Sequence, residues 1–289
     1  MQHYTKFIWR ICAFTGMVLL TVTIIWNIVI FTRSQLCYQP DKTVVVLGTS
    51  RIQYGVDDSI MPEVWNVGLN ADNYNLIYWK LKLLHKYNKQ LQTVILEVDQ
   101  TTLFDYFEGV EYKLHPYYWD VMDFTDWARL LAKDRTILMY PFDWIKILIP
   151  IKSIFSPVAF QELGIGGYSK LYRDKLSESL QRESTHPNTA INQYEIDGLQ
   201  LEYLNKIITY CQHSNIAIEF ISMPSYHTPT IEIGHNRANQ YIKTSFPNVK
   251  YHDYELVELA DSCYGDITHL NYKGANVLSQ KLKTDLTDD

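Results

Sequence analysis

The stretch Thr43-Val44-Val45-Val46-Leu47-Gly48-Thr49-Ser50-Arg51 decides the fold class. Its first part is a continuous, largely β-branched apolar run. That pattern fits a parallel strand buried on both faces. Gly48 permits a tight turn with close backbone approach, so Ser50 falls where the chain leaves the strand. In open parallel sheets, ligands bind beyond the carboxyl ends of the strands. A turn that caps the following segment accounts for the same residues without any chemistry.

The pattern repeats outward from this stretch. After a loop, Asn73–Tyr87 places Ile77, Leu81 and Leu84 at helical spacing, and Thr93–Val98 is the next strand. Beyond a long middle region, Glu195–Gln212 sets Ile196, Leu199, Tyr203, Ile207 and Cys211 on one helical face. Ile216–Met223 reads as a strand, Gly234–Ser245 as a helix, Val249–Tyr254 as a short strand and Tyr272–Thr287 as a closing helix. Strands alternating with helices predict a parallel sheet covered on both faces. The chain therefore reads as one α/β domain over 34–289, with an aromatic-rich insertion at about 102–189. The insertion holds Tyr117, Tyr118, Trp119, Trp127 and Trp144 and is too long to be structureless. Its most apolar run, Trp144–Phe155, reads as a helix on the core rather than a surface resting on a membrane.

Composition excludes several classes. An apolar fraction of 47% rules out a disordered chain. The net charge of −6, with no basic stripe interleaved with aromatics, speaks against a nucleic-acid partner. Of four cysteines, Cys12 lies in the apolar N-terminal segment, and Cys37, Cys211 and Cys263 lack CxxC spacing. No metal-ligand spacing, P-loop or dinucleotide glycine pattern occurs, so no metal or cofactor is expected.

Residues 1–33 have a different character. Ile11–Thr32 carries no charge and, at 1.5 Å per residue, is long enough for a hydrocarbon core of about 30 Å. Trp9 and Trp26 fit interfacial positions, with Lys6, Arg10 and Arg33 flanking. A cleaved signal peptide fits less well, because the run is long and no small-x-small site follows. The segment reads as a single-pass anchor with a cytoplasmic amino terminus and the remaining chain outside the cytoplasm.

The far end of the chain supplies a partner for Ser50. In Asp266-Ile267-Thr268-His269-Leu270-Asn271, a carboxylate lies three residues before a histidine, just ahead of the closing helix. A serine hydroxyl needs an adjacent base to act as a nucleophile. Histidine accepts that proton near neutral pH, and a carboxylate on its other nitrogen fixes the tautomer. Asn271 is placed to cap the helix and hold the loop.

Together these blocks resemble the SGNH/GDSL hydrolase superfamily. Val44–Ser50 resembles its strand-G-D-S block, with Thr49 in place of aspartate, and Asp266–His269 resembles its D-x-x-H block. Asn66-Val67-Gly68-Leu69-Asn70-Ala71 resembles the N-x-G-x-S-G block, with Ala71 where the last glycine donates an N–H to the oxyanion. The third block, G-x-N-D, has no counterpart; Glu97-Val98-Asp99-Gln100-Thr101 follows the corresponding strand, and Gln100 is the residue there able to offer an amide. The resemblance implies a flavodoxin-like three-layer α/β/α fold with a Ser50–His269–Asp266 triad and an oxyanion hole from Ser50, Ala71 and Gln100. It extends to a membrane-anchored branch that moves or removes acyl groups on envelope polysaccharides. That implies a serine esterase or O-acyltransferase acting on acyl, chiefly acetyl, esters of an envelope glycan. It also allows a membrane acyl-donor partner.

Arg51 and Asn70 are the candidate substrate-binding residues; Arg51 fits equally well a pair with a nearby carboxylate such as Asp57. Glu97 and Glu219, which interrupt apolar strands, read as strand-edge or buried paired groups. His227 reads as a solvated loop residue, and His235 and His252 as structural or exposed. Asp72 and Asn73 read as caps of the helix that follows. The rival reading is a non-catalytic protein of the same fold, binding glycan or serving as an accessory subunit of a membrane acyl-transfer system.

Overall fold

The computed structural model describes residues 2–104, 118, 121–133, 165–185 and 196–287. The chain begins with α1 (Gln2–Cys37) and then alternates strands with helices. These are β1 (Val44–Leu47), α2 (Ser50–Gly55), β2 (Val64–Asn66), α3 (Tyr74–Tyr87), β3 (Thr93–Glu97), α4 (Gln100–Leu103) and α5 (Phe124–Lys133). They continue with α6 (Leu176–Thr185), α7 (Gly198–His213), β4 (Ala217–Ser222), α8 (Pro229–Ser245), β5 (Lys250–Asp253) and α9 (Tyr272–Thr287). The strands pair in parallel in the order β2-β1-β3-β4-β5. This is the doubly wound order in which the chain leaves β1 in both directions, opening a crevice at its carboxyl end.

Successive side chains of a strand point to opposite faces, and the register sorts them into two cores. Val45 pairs with Val94 and Leu96 with Phe220, and all of these, with Leu47, lie in one cluster with Trp79, Leu84, Tyr203 and Ile207. Val46 pairs with Ile95, and both lie on the opposite face with Ile52, Ile221, Leu278 and Leu282. Helices α3, α7 and α8 therefore cover one face and α2 and α9 the other, giving the expected three layers.

Several local expectations shift. The segment read as loop after Ser50 contains β2, three residues that follow Met61-Pro62 and carry no alternation of their own. Helix α8 begins at Pro229 rather than Gly234, because Thr228 caps it and proline fits its first turn. Asn73 holds the N-cap position of α3 without a side-chain cap bond, and Asp72 pairs instead with the fully buried Lys80. Within the insertion, Tyr118 is buried and Trp127 packs on the first core. Tyr117, Trp119, Trp144 and the run Trp144–Phe155 lie outside the described residues. All four cysteines are free.

The end of helix α1 is docked: Asn88 Nδ2 donates to the Cys37 carbonyl at 2.6 Å. Upstream, Phe7, Ile8, Trp9, Phe14, Met17, Leu19 and Leu20 are exposed. Among the described residues no helix is long and apolar enough to cross a membrane. The expected span at 11–32 includes positions 22, 25, 26 and 29–32, whose side chains lie outside the described part.

Candidate active site

The corner after β1 is set by what lies beneath it. Gly48 sits against the Glu97 side chain, where an added Cβ would come within 2.4 Å of a carboxylate oxygen. Glu97 Oε2 accepts the Thr49 N–H at 2.5 Å, and Thr49 Oγ1 caps α2 by accepting the Arg51 N–H at 3.3 Å. Ser50 is thereby the first residue of α2, half-buried at the carboxyl edge of the sheet.

Loop 265–271 brings His269 to it. Gly265 N–H donates to the His269 carbonyl at 2.8 Å, which closes the turn. Asn271 accepts the N–H groups of Lys273 and Gly274 and donates to the Ser262 and Tyr264 carbonyls, so it both caps α9 and holds the loop. Ser50 Oγ lies 2.8 Å from His269 Nε2, and His269 Nδ1 lies 2.9 Å from Asp266 Oδ1. The tautomer that gives Nδ1–H to the carboxylate leaves Nε2 to accept from Ser50. Tyr54 meets the imidazole edge-on at 5.8 Å between ring centres.

Asp266 is held as an anion. Burial pushes its carboxyl up, but the His269 hydrogen bond and charge, the Arg173 hydrogen bond and the Thr268 N–H outweigh that and hold it well below the ordinary carboxylate range. Oδ1 also accepts the N–H groups of Thr268 at 3.0 Å and His269 at 2.9 Å, while Oδ2 takes Arg173 Nη1. Arg173 comes from the insertion, and sequence reading did not single it out. Nothing in a D-x-x-H block reveals a cation 93 positions upstream.

The loop after β2 is fastened to the same corner. Asn66 donates to the Ile52 and Val56 carbonyls and accepts the Gly68 N–H at 2.8 Å; Leu69 N–H reaches the Gly48 carbonyl at 3.1 Å. Gln53 Oε1 accepts the Asn70 N–H at 2.9 Å, leaving the Asn70 side chain exposed. Ala71 adopts a left-handed φ of 59°, a conformation that favours glycine. Among the described residues, the N–H groups of Ser50 and Ala71 have no hydrogen-bond partner.

Two expected site residues are placed elsewhere. Arg51 is 4% exposed and donates to Asp99 Oδ2 at 2.7 Å, Ser225 Oγ at 2.9 Å, Glu255 Oε1 at 3.1 Å and the Met223 carbonyl. It is a buried latch between α2 and the ends of β3, β4 and β5, not a substrate ligand, and Asp57 is not its partner. Gln100 is equally buried, with Nε2 on the Ile231 carbonyl and Glu255 Oε1. That amide is committed to the cluster, so the oxyanion role assigned to it is withdrawn.

The cluster sets one cation against Glu97, Asp99 and Glu255, all buried. Burial, reinforced by the Asp99 charge and opposed by Arg51 and the Thr49 N–H, pushes Glu97 up to about 8. Burial likewise raises Glu255. The remaining groups are structural: Glu219 holds His252 at 2.6 Å, His235 sits 3.4 Å from Asp253, and His227 is exposed beside Glu232. No group of metal-ligating side chains occurs among the described residues.

No protein-family model and no curated protein matches the sequence. Among solved structures, the chain is similar to a protein from Streptococcus pneumonia whose name refers to platelet activating factor, at 13% identity and a TM-score of 0.45. That match covers 92% of this chain and 98% of the other. It is also similar to a GDSL-like lipase from Bacteroides thetaiotaomicron VPI-5482, at 10% identity and a TM-score of 0.39, over 86% and 89% of the two chains. Likenesses this distant assign no activity.

Proposed function

We propose that this chain is a serine-dependent acyl-transfer enzyme. One observation carries the reading: an unbroken hydrogen-bonded chain from Ser50 Oγ through His269 to Asp266 at the carboxyl edge of a parallel sheet. Ser50 Oγ attacks the ester carbonyl as its proton passes to His269 Nε2, with Asp266 stabilising the imidazolium. The oxyanion that forms takes the free N–H groups of Ser50 and Ala71. The alkoxide leaves with the proton from Nε2, and an acyl group remains on Ser50. Water or a sugar hydroxyl then gives its proton to Nε2 and bonds to the acyl carbon, and the Oγ–acyl bond breaks as Nε2 returns that proton to Ser50. The first acceptor makes the chain an esterase, the second an O-acyltransferase.

The substrate class proposed is an acyl, chiefly acetyl, ester of an envelope or extracellular glycan. The placement proposed is a single-pass cell-membrane protein with its soluble part outside the cytoplasm. Support comes from the charge-free segment at 11–32 and from the exposed apolar side chains along α1. Hydrolysis of p-nitrophenyl acetate by the full chain tests the chemistry, with loss expected in Ser50→Ala and His269→Ala. Turnover equal in all three proteins would overturn it.

The commitment of Gln100 to Glu255 favours a second reading. An oxyanion hole reduced to two backbone donors fits an accessory subunit, active only beside a membrane acyl-donor partner. Activity of the purified chain on its own excludes that reading.

A further inference from the structure

The described arm of the insertion, 165–185, returns across the site and leaves a cavity of about 220 Å³ beside the triad. One wall is the Asp266–Thr268 turn; the other carries Arg173, Lys175, Glu178, Ser179 and Arg182. Ser179 and Arg182 share one side of α6, with Lys175 just ahead of its first residue, while Leu176 and Leu180 pack into the second core. The cavity wall is therefore the polar face of a docked helix.

The cations in this cavity are not equally occupied. Arg173 is engaged by Asp266, and Lys175 sits 3.6 Å from Glu178. Arg182 has no ion-pair partner among the described residues. In a chain of net charge −6, three cations and two carboxylates, Asp266 and Glu178, line this concavity beside the His269 turn, and Arg182 is the cation left in excess. A guanidinium presents two parallel donors, the geometry that matches a carboxylate or a phosphate.

We propose that this cavity is an anion subsite. It would take a carboxylate or phosphate carried by the acylated substrate, with Arg182 as the principal contact and Lys175 in support. The inference rests on the acyl-transfer reading and narrows its substrate to an anionic glycan. The ester carbonyl would lie at Ser50, with the charged group displaced toward α6.

The test compares kcat/KM of the full chain on three acetylated sugars: a neutral methyl glycoside, the methyl glycoside of a free uronic acid and a hexose phosphate. A charge-assisted contact is expected to favour an anionic ester by about 10-fold. That preference should collapse in Arg182→Gln, reverse in Arg182→Glu, and shrink as salt is raised. Which anion gains more distinguishes carboxylate from phosphate. Equal rates on neutral and anionic esters, or a preference unchanged in Arg182→Glu, would overturn the subsite. If none of the three esters is turned over, the acyl-transfer reading fails instead. Calorimetry with the deacetylated sugars then decides the subsite alone: binding of the anionic sugars that is lost in Arg182→Glu supports it, and no binding overturns it.

Discussion

Ser50 and His269, the proposed nucleophile and base, are held in opposite ways. Ser50 stands on a corner anchored from below by Glu97, Arg51, Asp99 and Glu255, side chains drawn from β3, α2 and the loops after β3 and β5, all removed from water. His269 stands in a turn held mostly by its own neighbours: Asp266, Thr268 and Asn271, with Arg173 reaching in from the surface. A corner built from distant buried charges is costly to disturb and fixes position; a local turn is cheap to alter and fixes orientation. Damage below Ser50 should therefore appear as lost stability, and damage around His269 as lost rate.

The sharpest separation comes from the reacting groups themselves. Ser50→Ala and His269→Ala should each lower kcat/KM on p-nitrophenyl acetate by roughly 10⁴–10⁶. Their unfolding free energies in urea should stay within about 1 kcal/mol of wild type. Asp266→Asn keeps the shape of the turn but removes the charge that fixes the imidazole, and should cost about 10⁴ in kcat. A large loss of stability in these variants would break the comparison.

The converse case is Arg51→Met. It leaves three buried carboxyl groups without their cation and should destabilise by about 3–5 kcal/mol in urea denaturation. Arg51→Lys should not restore it, because one ammonium cannot reach the four acceptors of the guanidinium. Stability equal to wild type in both variants would show that the corner does not depend on its charges.

Glu97 sharpens the same point through pH. Its folded carboxyl is raised to about 8, so the folded chain holds a proton that the unfolded chain releases near the ordinary value of 4.5. Stability attributable to Glu97 is therefore present below that value and declines as pH rises toward 8. Glu97→Gln keeps an acceptor for the Thr49 N–H and should flatten the fall in urea midpoint across this window. An unchanged slope would contradict the assignment.

The smallest effect is expected at Ala71. Ala71→Gly relieves the left-handed strain and should stabilise by up to about 1 kcal/mol, with the backbone donor kept and kcat/KM within about threefold. A loss of activity beyond that would mean that the alanine methyl, not only the N–H, shapes the site.

What the sequence reveals follows the same division. β1 and β3 are readable because strands buried on both faces demand apolar runs, as in Val44–Leu47, and β4 is readable from its apolar residues on either side of Glu219. β2 was not, since three residues pairing with β1 leave no pattern of their own. The turn from Asp266 to Asn271 was readable because its bonds span few residues, and Asn271 caps α9 as expected. Arg51 and Gln100 were misplaced because Glu255, which draws both inward, lies more than 150 positions away. Arg173 was missed for the same reason. Local bonding leaves a mark in the sequence, and side-chain direction set by distant charges does not.

The central claim, an activated serine at the end of β1, is tested most directly by a fluorophosphonate reagent on the purified full chain, with the modified peptide mapped by mass spectrometry. The account predicts a single stoichiometric adduct on Ser50, absent from His269→Ala, in which the base is gone. No adduct on the folded chain, or labelling of Ser50 undiminished in His269→Ala, would contradict it.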